Sequence, residues 1–288
     1  MFYQWLVGFT DGDGSFSVIR QKNSWSLVYK LGQSTYNLRV LHFIKKQLGV
    51  GRIYIEKNGK IAHFRIRDFN TITKIIIPIF DKYPLLTSKS FKYTIFKNAH
   101  IILDNKFLTT VEKNTLITDL INKNIPQNYI APAFSCEKLN IKNLNFEIAN
   151  KIMSKSWLIG FTEAEGSFTA CGGVQTDKSR LVHGFEITQK LDEIVLLCIK
   201  HLLHIKTKVQ FKKAGYYSLS TTNSRAIENI ILYFKDTMKG MKSVEYRIWT
   251  RSYVKHKGDF RNLNKIWNNV RIMRTRYLTL DLWYKMKE

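Results

Sequence analysis

Two spacings of apolar residues alternate along the chain, one of period two and one near 3.6, and the whole sequence of them occurs twice. From Ser15 to Lys30, apolar and polar positions alternate (Phe16 and Val18 against Ser17, then Trp25 and Leu27 against Ser26). That pattern predicts a twisted hairpin turning near Lys22-Asn23-Ser24. Leu38–Leu48 has helical spacing and stops at Gly49. Val50–Ile55 and Ile61–Arg67 predict a second hairpin around Lys57-Asn58-Gly59, where Asn-Gly suits a tight turn. Thr71–Phe80 and Ser88–His100 return to helical spacing, separated by Pro84. The order then recurs: strands near 167–189, a helix over 192–204, strands over 207–212 and 216–221, and helices over 224–235 and 242–253. Val111–Asn124 predicts an additional helix, and 125–155, with Pro126 and Pro132 and no periodicity, reads as a linker.

The recurrence is a true internal repeat. Residues 5–16 read WLVGFTDGDGSF and residues 157–168 read WLIGFTEAEGSF, 152 positions apart, and every difference keeps the chemistry. Gln33 has a counterpart in Gln189, and Lys89 (in TSKSFKY) in Lys242 (in GMKSVEY). The chain therefore divides into an N-terminal half, 1–124, a linker, 125–155, and a C-terminal half, 156–288, with a basic helical tail. With one motif helix opening each half, the order αββαββα occurs twice, an α+β fold of two pseudo-twofold-related halves.

As a helix, the motif carries Gly8 and Gly12 four apart on one face, and Gly160 and Ala164 in its second copy. Small residues at that spacing let two helix backbones approach closely, and each copy is the natural partner of the other. Each helix is expected to end in a left-handed cap at Gly14 or Gly166, immediately after Asp13 or Glu165. A carboxylate at a helix C-terminus opposes the helix dipole, and two brought together repel. A divalent cation would offset that charge, and carboxylate and carbonyl oxygens are the hard ligands that Mg²⁺ takes. A calcium loop starting at Asp11 fails, because its sixth and twelfth positions hold Phe16 and Lys22.

Charge points to a polyanionic partner. Lysine and arginine number 46 against 22 acidic residues, a net charge of +24. Each half carries +11, so both are expected to touch the same polyanion. A membrane is the poorer candidate: no apolar run approaches the roughly 20 residues of a spanning helix. Three widely spaced cysteines, Cys136, Cys171 and Cys198, fit neither a disulfide framework nor a zinc cluster and imply a reducing compartment. No cleavable leader is expected at Met1-Phe2-Tyr3-Gln4.

The paired motifs resemble those of the LAGLIDADG homing endonucleases in their single-chain, two-motif form, across residues 3–125 and 155–255. The resemblance implies motif helices at the interface between halves and two antiparallel sheets forming a saddle over the DNA major groove. It implies a monomer that cuts both strands of a long double-stranded target across the minor groove. It assigns the catalytic metals to Asp13 and Glu165 with the backbone carbonyls of Gly12 and Ala164, catalytic glutamines to Gln33 and Gln189, and water-pocket lysines to Lys89 and Lys242. Mg²⁺ is the expected cofactor, with Ca²⁺ or Mn²⁺ able to substitute. The family often has a basic residue a turn beyond the glutamine; here those places hold Asn37 and Glu193.

Alternation on the hairpins nominates DNA contacts: Arg20, Lys22, Trp25, Tyr29, Arg52, Tyr54, Arg65 and Arg67, then Lys178, Arg180, Lys208, Gln210, Lys212, Tyr217 and Ser220. Arg271, Arg274 and Arg276 in the tail either add backbone contacts or pack. An intron-RNA maturase and a metal-free DNA-binding regulator are the rival readings; both permit loss of the motif carboxylates, which this chain keeps. Family resemblance and a composition rich in Lys, Asn, Ile and Tyr point to a fungal-type mitochondrion.

Overall fold

A computed structural model describes residues 1–22, 24–135, 143–175 and 178–285, with residues 173–175, 178, 179 and 276–285 followed by backbone alone. The first half runs α1 (Phe2–Asp13), β1 (Gly14–Gln21), β2 (Ser24–Ser34), α2 (Leu38–Leu48), β3 (Arg52–Ile55) and β4 (Ile61–Ile66). It continues through α3 (Phe69–Thr71), a π-helical turn (Ile72–Ile76), α4 (Ile77–Lys82), α5 (Lys89–Asp104) and α6 (Thr110–Ile121). Pro78 accounts for the widened turn, because it has no N–H to return to the carbonyl of Lys74. After α7 (Phe146–Ile152) the order repeats: α8 (Lys155–Glu165), β5 (Ser167–Gln175), β6 (Lys178–Gln189), α9 (Glu193–Leu202), β7 (Gln210–Lys212), β8 (Tyr216–Thr221), α10 (Ser224–Tyr233) and α11 (Lys242–His256). A 26-residue tail helix, α12 (Phe260–Lys285), follows.

Each half holds one four-stranded antiparallel sheet, ordered β1-β2-β4-β3 and β5-β6-β8-β7. Helices cover one face of each. In the first sheet Phe16, Leu27, Tyr29, Leu31, Ala62, Phe64 and Ile66 are buried beneath them, while Lys30, His63, Arg65, Arg52 and Tyr54 occupy the open face. The last residue of each motif anchors its core. Phe16 meets Phe80, Tyr93 and Phe96 at ring-centroid distances of 4.9, 5.1 and 5.4 Å. Its repeat-mate Phe168 meets Phe234, Tyr246 and Trp249 at 6.0, 5.1 and 5.1 Å.

The helices α1 and α8 pack face to face along the small-residue stripe. A Cβ at Gly8 would overlap the carbonyl oxygen of Trp157, and one at Gly160 the carbonyl oxygen of Trp5. Only a glycine on each side permits backbone contact there.

Two expectations change, and one open alternative is decided. Gly14 and Gly166 are not left-handed: their φ values are −90° and −72°, extended backbone that leads directly into β1 and β5. Their reason is space, since a Cβ on either would overlap the Thr10 or Thr162 side chain in the preceding turn. The segment read as a structureless linker carries a 3₁₀ turn at Pro132–Phe134 and the helix α7, capped by the Asn145 side chain on the Ile148 N–H. Of the two readings open for the tail, packing applies at Arg274: Glu245 in α11 accepts from its Nε at 2.8 Å and its Nη2 at 2.6 Å. Arg271 is exposed, and the side chain of Arg276 lies outside the described residues, as does Cys136. Among the described residues no helix is long and apolar enough to cross a membrane.

Candidate active site

The packing of α1 on α8 brings their C-terminal ends together, and with them the two motif carboxylates. Gly12 and Ala164 face each other so closely that a Cβ on Gly12 would overlap that of Ala164 and lie 3.1 Å from the Glu165 Cγ. Asp13 is pushed up to about 6, first by burial and then by the negative charge of Glu165; Lys89, Lys242 and a hydrogen bond from Gln33 oppose the shift. Burial also raises Glu165, against the pull of Lys89, Lys242 and a hydrogen bond from Gln189. Two carboxylates share one desolvated place, as two groups built to release a proton to a cation would.

The glutamines and lysines arrive from the sheets and from α5 and α11. Gln33 Nε2 donates to Asp13 Oδ2, and the Gln33 Oε1 accepts from Asn37 Nδ2 at 2.9 Å. Gln189 hydrogen-bonds to Glu165 and donates to the Thr188 carbonyl at 2.9 Å. Lys89 Nζ reaches the carbonyls of Thr10 (3.3 Å) and Gly12; Lys242 Nζ reaches those of Ala164 (3.5 Å) and Gly166. Both ammonium groups cover helix C-terminal carbonyls, where positive charge is favoured. Burial lowers both pKa values, and the surrounding carboxylates work against it.

The site is therefore double, and each half of it is mixed in origin. One cleft of about 370 Å³ takes Gly12 and Lys89 from the first half of the chain and Glu165, Gln189 and Asp192 from the second. The other, about 320 Å³, takes Gln33 and Asn37 from the first and Ala164 and Lys242 from the second. Each lysine works beside the opposite half's glutamine, which the repeat alone does not reveal.

Four polar residues to which the sequence assigned no structural role hold this arrangement. Asp11 accepts the Leu86 and Thr87 N–H groups at 2.8 and 3.1 Å and the Trp157 Nε1–H at 2.8 Å. Glu163, its repeat-mate, accepts the Lys239 and Gly240 N–H groups at 2.7 and 3.0 Å. Each pins the chain just ahead of a lysine. Across the halves, Asp192 accepts the Ser88 N–H at 2.7 Å and Asn37 the Met241 N–H at 2.8 Å. The signal for Asp11 and Glu163 was present: an acid recurring inside an apolar helix needs buried donors.

The residues fit a divalent cation. Every acceptor at the paired helix ends is oxygen, and the carboxylates raise each other's cost of ionisation. Among the described residues no cluster of three His, Cys, Asp or Glu forms, so the two carboxylates would need carbonyl, water or phosphate oxygens to complete a shell. Mg²⁺, which keeps several waters, accepts such a set.

The sheets distribute the nominated contact residues unevenly. Arg52, Tyr54 and Arg65 fall on the open face of the first sheet, with Arg65 5.1 Å from the Tyr54 ring centroid, and Arg67 is exposed just past β4. Arg180, Gln210, Lys212 and Ser220 fall on the open face of the second, and Lys208 is exposed just before β7. The Lys178 side chain lies outside the described residues. Lys22 is exposed at the β1–β2 tip; Arg20, also exposed, lies on the Trp25 side of the strand pair, 5.5 Å from that ring centroid.

Four nominations fail on strand parity, Arg20 among them as the cross-strand partner of Trp25. Tyr29 is fully buried, its hydroxyl 2.7 Å from Thr10 Oγ1 on α1. Trp25 shares the covered side and donates its Nε1–H to Asn114 of α6 at 2.8 Å. Tyr217 lies on the covered face with Leu219, its ring 5.0 Å from Phe211. The residues that do face outward there are Lys30, His63 and Tyr216. An aromatic residue in a strand fits either side, and only the register decides.

The LAGLIDADG endonuclease family model matches residues 6–100 and 158–253, both halves of the chain. A Schizosaccharomyces pombe protein described as "Probable intron-encoded endonuclease Cox1-I1b" is 39% identical over 96% of this chain and 70% of its own length. Several other curated relatives are longer, and the chain spans about half or less of them. Among solved structures, a lysine-to-alanine variant of I-SmaMI superposes with a TM-score of 0.75 at 24% identity, covering 95% of this chain and 98% of that one. I-SmaMI bound to uncleaved DNA target in the presence of calcium ions gives 0.72 at 25% identity, covering 95% and 97%. With two motif helices back to back, a sheet in each half and a family match in both, the chain belongs to the LAGLIDADG endonucleases as a single-chain, two-motif member.

Proposed function

We propose that this chain is a monomeric, site-specific endonuclease that hydrolyses both strands of a long, asymmetric double-stranded DNA target across the minor groove, using Mg²⁺. The observation that carries the reading is the convergence of Asp13 and Glu165, each with its glutamine and each between two lysines. The narrow separation suits two scissile phosphates that face each other across a minor groove about 6 Å wide. The likeness to a DNA-bound I-SmaMI structure obtained with calcium ions supports both the DNA and the divalent cation.

Asp13 and Glu165 would hold the metal ions, helped by the Gly12 and Ala164 carbonyls. Bound there, a divalent cation lowers the pKa of water and neutralises phosphate charge. Gln33 and Gln189 orient the carboxylates by donating to them. Lys89 and Lys242 balance the negative charge that grows on the phosphate and hold the attacking water at their ammonium hydrogens. The open-face residues of both sheets, together with Lys22 at the hairpin tip, carry the contacts to bases and phosphates; Lys178 belongs to the same strand as Arg180. Mitochondrial residence fits the fungal intron-encoded relatives.

The test is cleavage of a DNA-site library. Asp13→Asn and Glu165→Gln should each stop cutting while DNA binding persists, and EDTA should stop the wild type. Wild-type cutting by either variant in Mg²⁺ would overturn the site assignment. An RNA-folding role leaves the two carboxylates without work, and would be favoured by intron-RNA binding in a protein that cuts no DNA.

A further inference from the structure

Three residues ahead of Gln33 on β2 stands Lys30, and three ahead of Gln189 on β6 stands Glu186. Their strand partners show that the two places are equivalent. Lys30 pairs with Ser15 on one side and Arg65 on the other. Glu186 pairs with Ser167, the repeat-mate of Ser15, and with Ser220. Both lie on open faces, in strands leading straight into the double site, and their charges are opposite.

The surroundings reinforce the inversion. Lys30, Arg65 and Arg52 form a cationic row across the first sheet. The matching row in the second is Ser167, Glu186 and Ser220, with Lys208 following just before β7, so an acid stands where the first sheet has Lys30 and a serine where it has Arg65. Glu186 is held in place: its Oε1 accepts from Ser218 Oγ at 2.7 Å. Glu56, the acid on the edge of the first sheet, instead meets His63 at 2.7 Å. No ion pair to Glu186 is recorded among the described residues.

A fixed, unpaired carboxylate on a surface that meets DNA cannot face phosphates without repulsion. It can face a base edge that offers a hydrogen and no neighbouring acceptor. In the major groove that is the N4 amino group of cytosine; adenine sets an N7 acceptor beside its amino group, and guanine and thymine offer acceptors. Lysine at the equivalent place selects guanine O6 and N7. We propose that Lys30 and Glu186 are a symmetry-breaking pair of specificity residues, selecting guanine in one half-site and cytosine at the dyad-related position of the other. This rests on the DNA-binding part of the function proposed above, and not on cleavage.

The test enriches randomised duplexes on the full-length protein in Ca²⁺ and sequences those bound, so that cutting is not needed. The wild type should show cytosine on the strand that Glu186 reads and guanine at the related position in the other half. Glu186→Lys should convert that one cytosine preference to guanine, by about fivefold or more, with other positions unchanged. Glu186→Gln, nearly isosteric, should convert it to adenine. Lys30→Glu should convert the opposite guanine to cytosine. A Glu186→Lys protein with an unaltered base profile, or with uniformly tighter binding to all sequences, overturns the proposal. Enrichment without cleavage in Mg²⁺ would instead sink the nuclease reading and leave this one standing.

Discussion

Asn37 joins the two halves of the chain at the double site: its Oδ1 accepts the Met241 N–H at 2.8 Å while its Nδ2 donates to Gln33 Oε1 at 2.9 Å. Gln33 is thereby turned so that its own amide donates to Asp13. A backbone amide immediately before Lys242 thus sets the orientation of a carboxylate in the other half. The related place in the second cleft is filled differently, by Asp192 on the Ser88 N–H and hydroxyl at 2.7 and 3.0 Å.

Asn37→Ala removes an acceptor from a buried N–H and a donor from Gln33. Stability should fall by about 1–3 kcal/mol, read from the urea midpoint. Cleavage of the strand served by Gln33 should slow more than that of the other strand, measured as nicked intermediate in supercoiled DNA. Equal slowing of both strands would show that Asn37 only holds the halves together.

Gly8→Val places a branched side chain against the Trp157 carbonyl, and nothing short of backbone movement can accommodate it. The expected loss is about 3 kcal/mol or more, visible in thermal unfolding. Gly49→Ala serves as a control: Gly49 has a positive φ of 69°, unlike Gly8, and no atom lies near its missing Cβ. It should cost only about 1 kcal/mol.

Burial and the charge of Glu165 push Asp13 up to about 6 in the folded protein, above the 3.8 of a free aspartate. The sign follows from linkage: a raised carboxylate pKa favours the folded state at low pH, and that contribution disappears as pH rises through 6. Metal-free Asp13→Asn should therefore be more stable than the wild type at pH 8, by about 3 kcal/mol, with most of the difference gone near pH 4. Because a bound cation displaces the proton, wild-type Mg²⁺ affinity should rise with pH up to and through 6. Calorimetric titration and melting of the two proteins at several pH values check both statements.

Arg274→Ala leaves Glu245, only 7% exposed, without its two charge-assisted hydrogen bonds. A loss of about 3 kcal/mol is expected, together with faster proteolysis within α12. Arg274→Ala with Glu245→Gln should recover part of it, because no buried charge is then left alone.

Much of this protein could be read from the chain itself. The duplicated motif announced two halves, the glycine pair announced a close helix contact, and the period of each segment announced the α+β order. These are local properties: a spacing of four is one helix face wherever that helix ends up, and an overlap of backbones needs glycine whatever the partner. Asp13, Glu165, Gln33, Gln189, Lys89 and Lys242 stood out in the chain because each recurs in kind at its repeat-mate.

Tertiary structure decided what no spacing encodes. Strand register chose the face of β2, burying Tyr29 and turning Lys30 outward, since a shift of one residue exchanges the two faces. The space above Gly14 and Gly166, not their φ, explained those glycines. The crossing of the halves placed each lysine beside the other half's glutamine and gave Asn37 its partner 204 positions away. Contacts of that length depend on how two folded bodies dock, and docking is set by shape and buried hydrogen bonds that come into being only once both are formed.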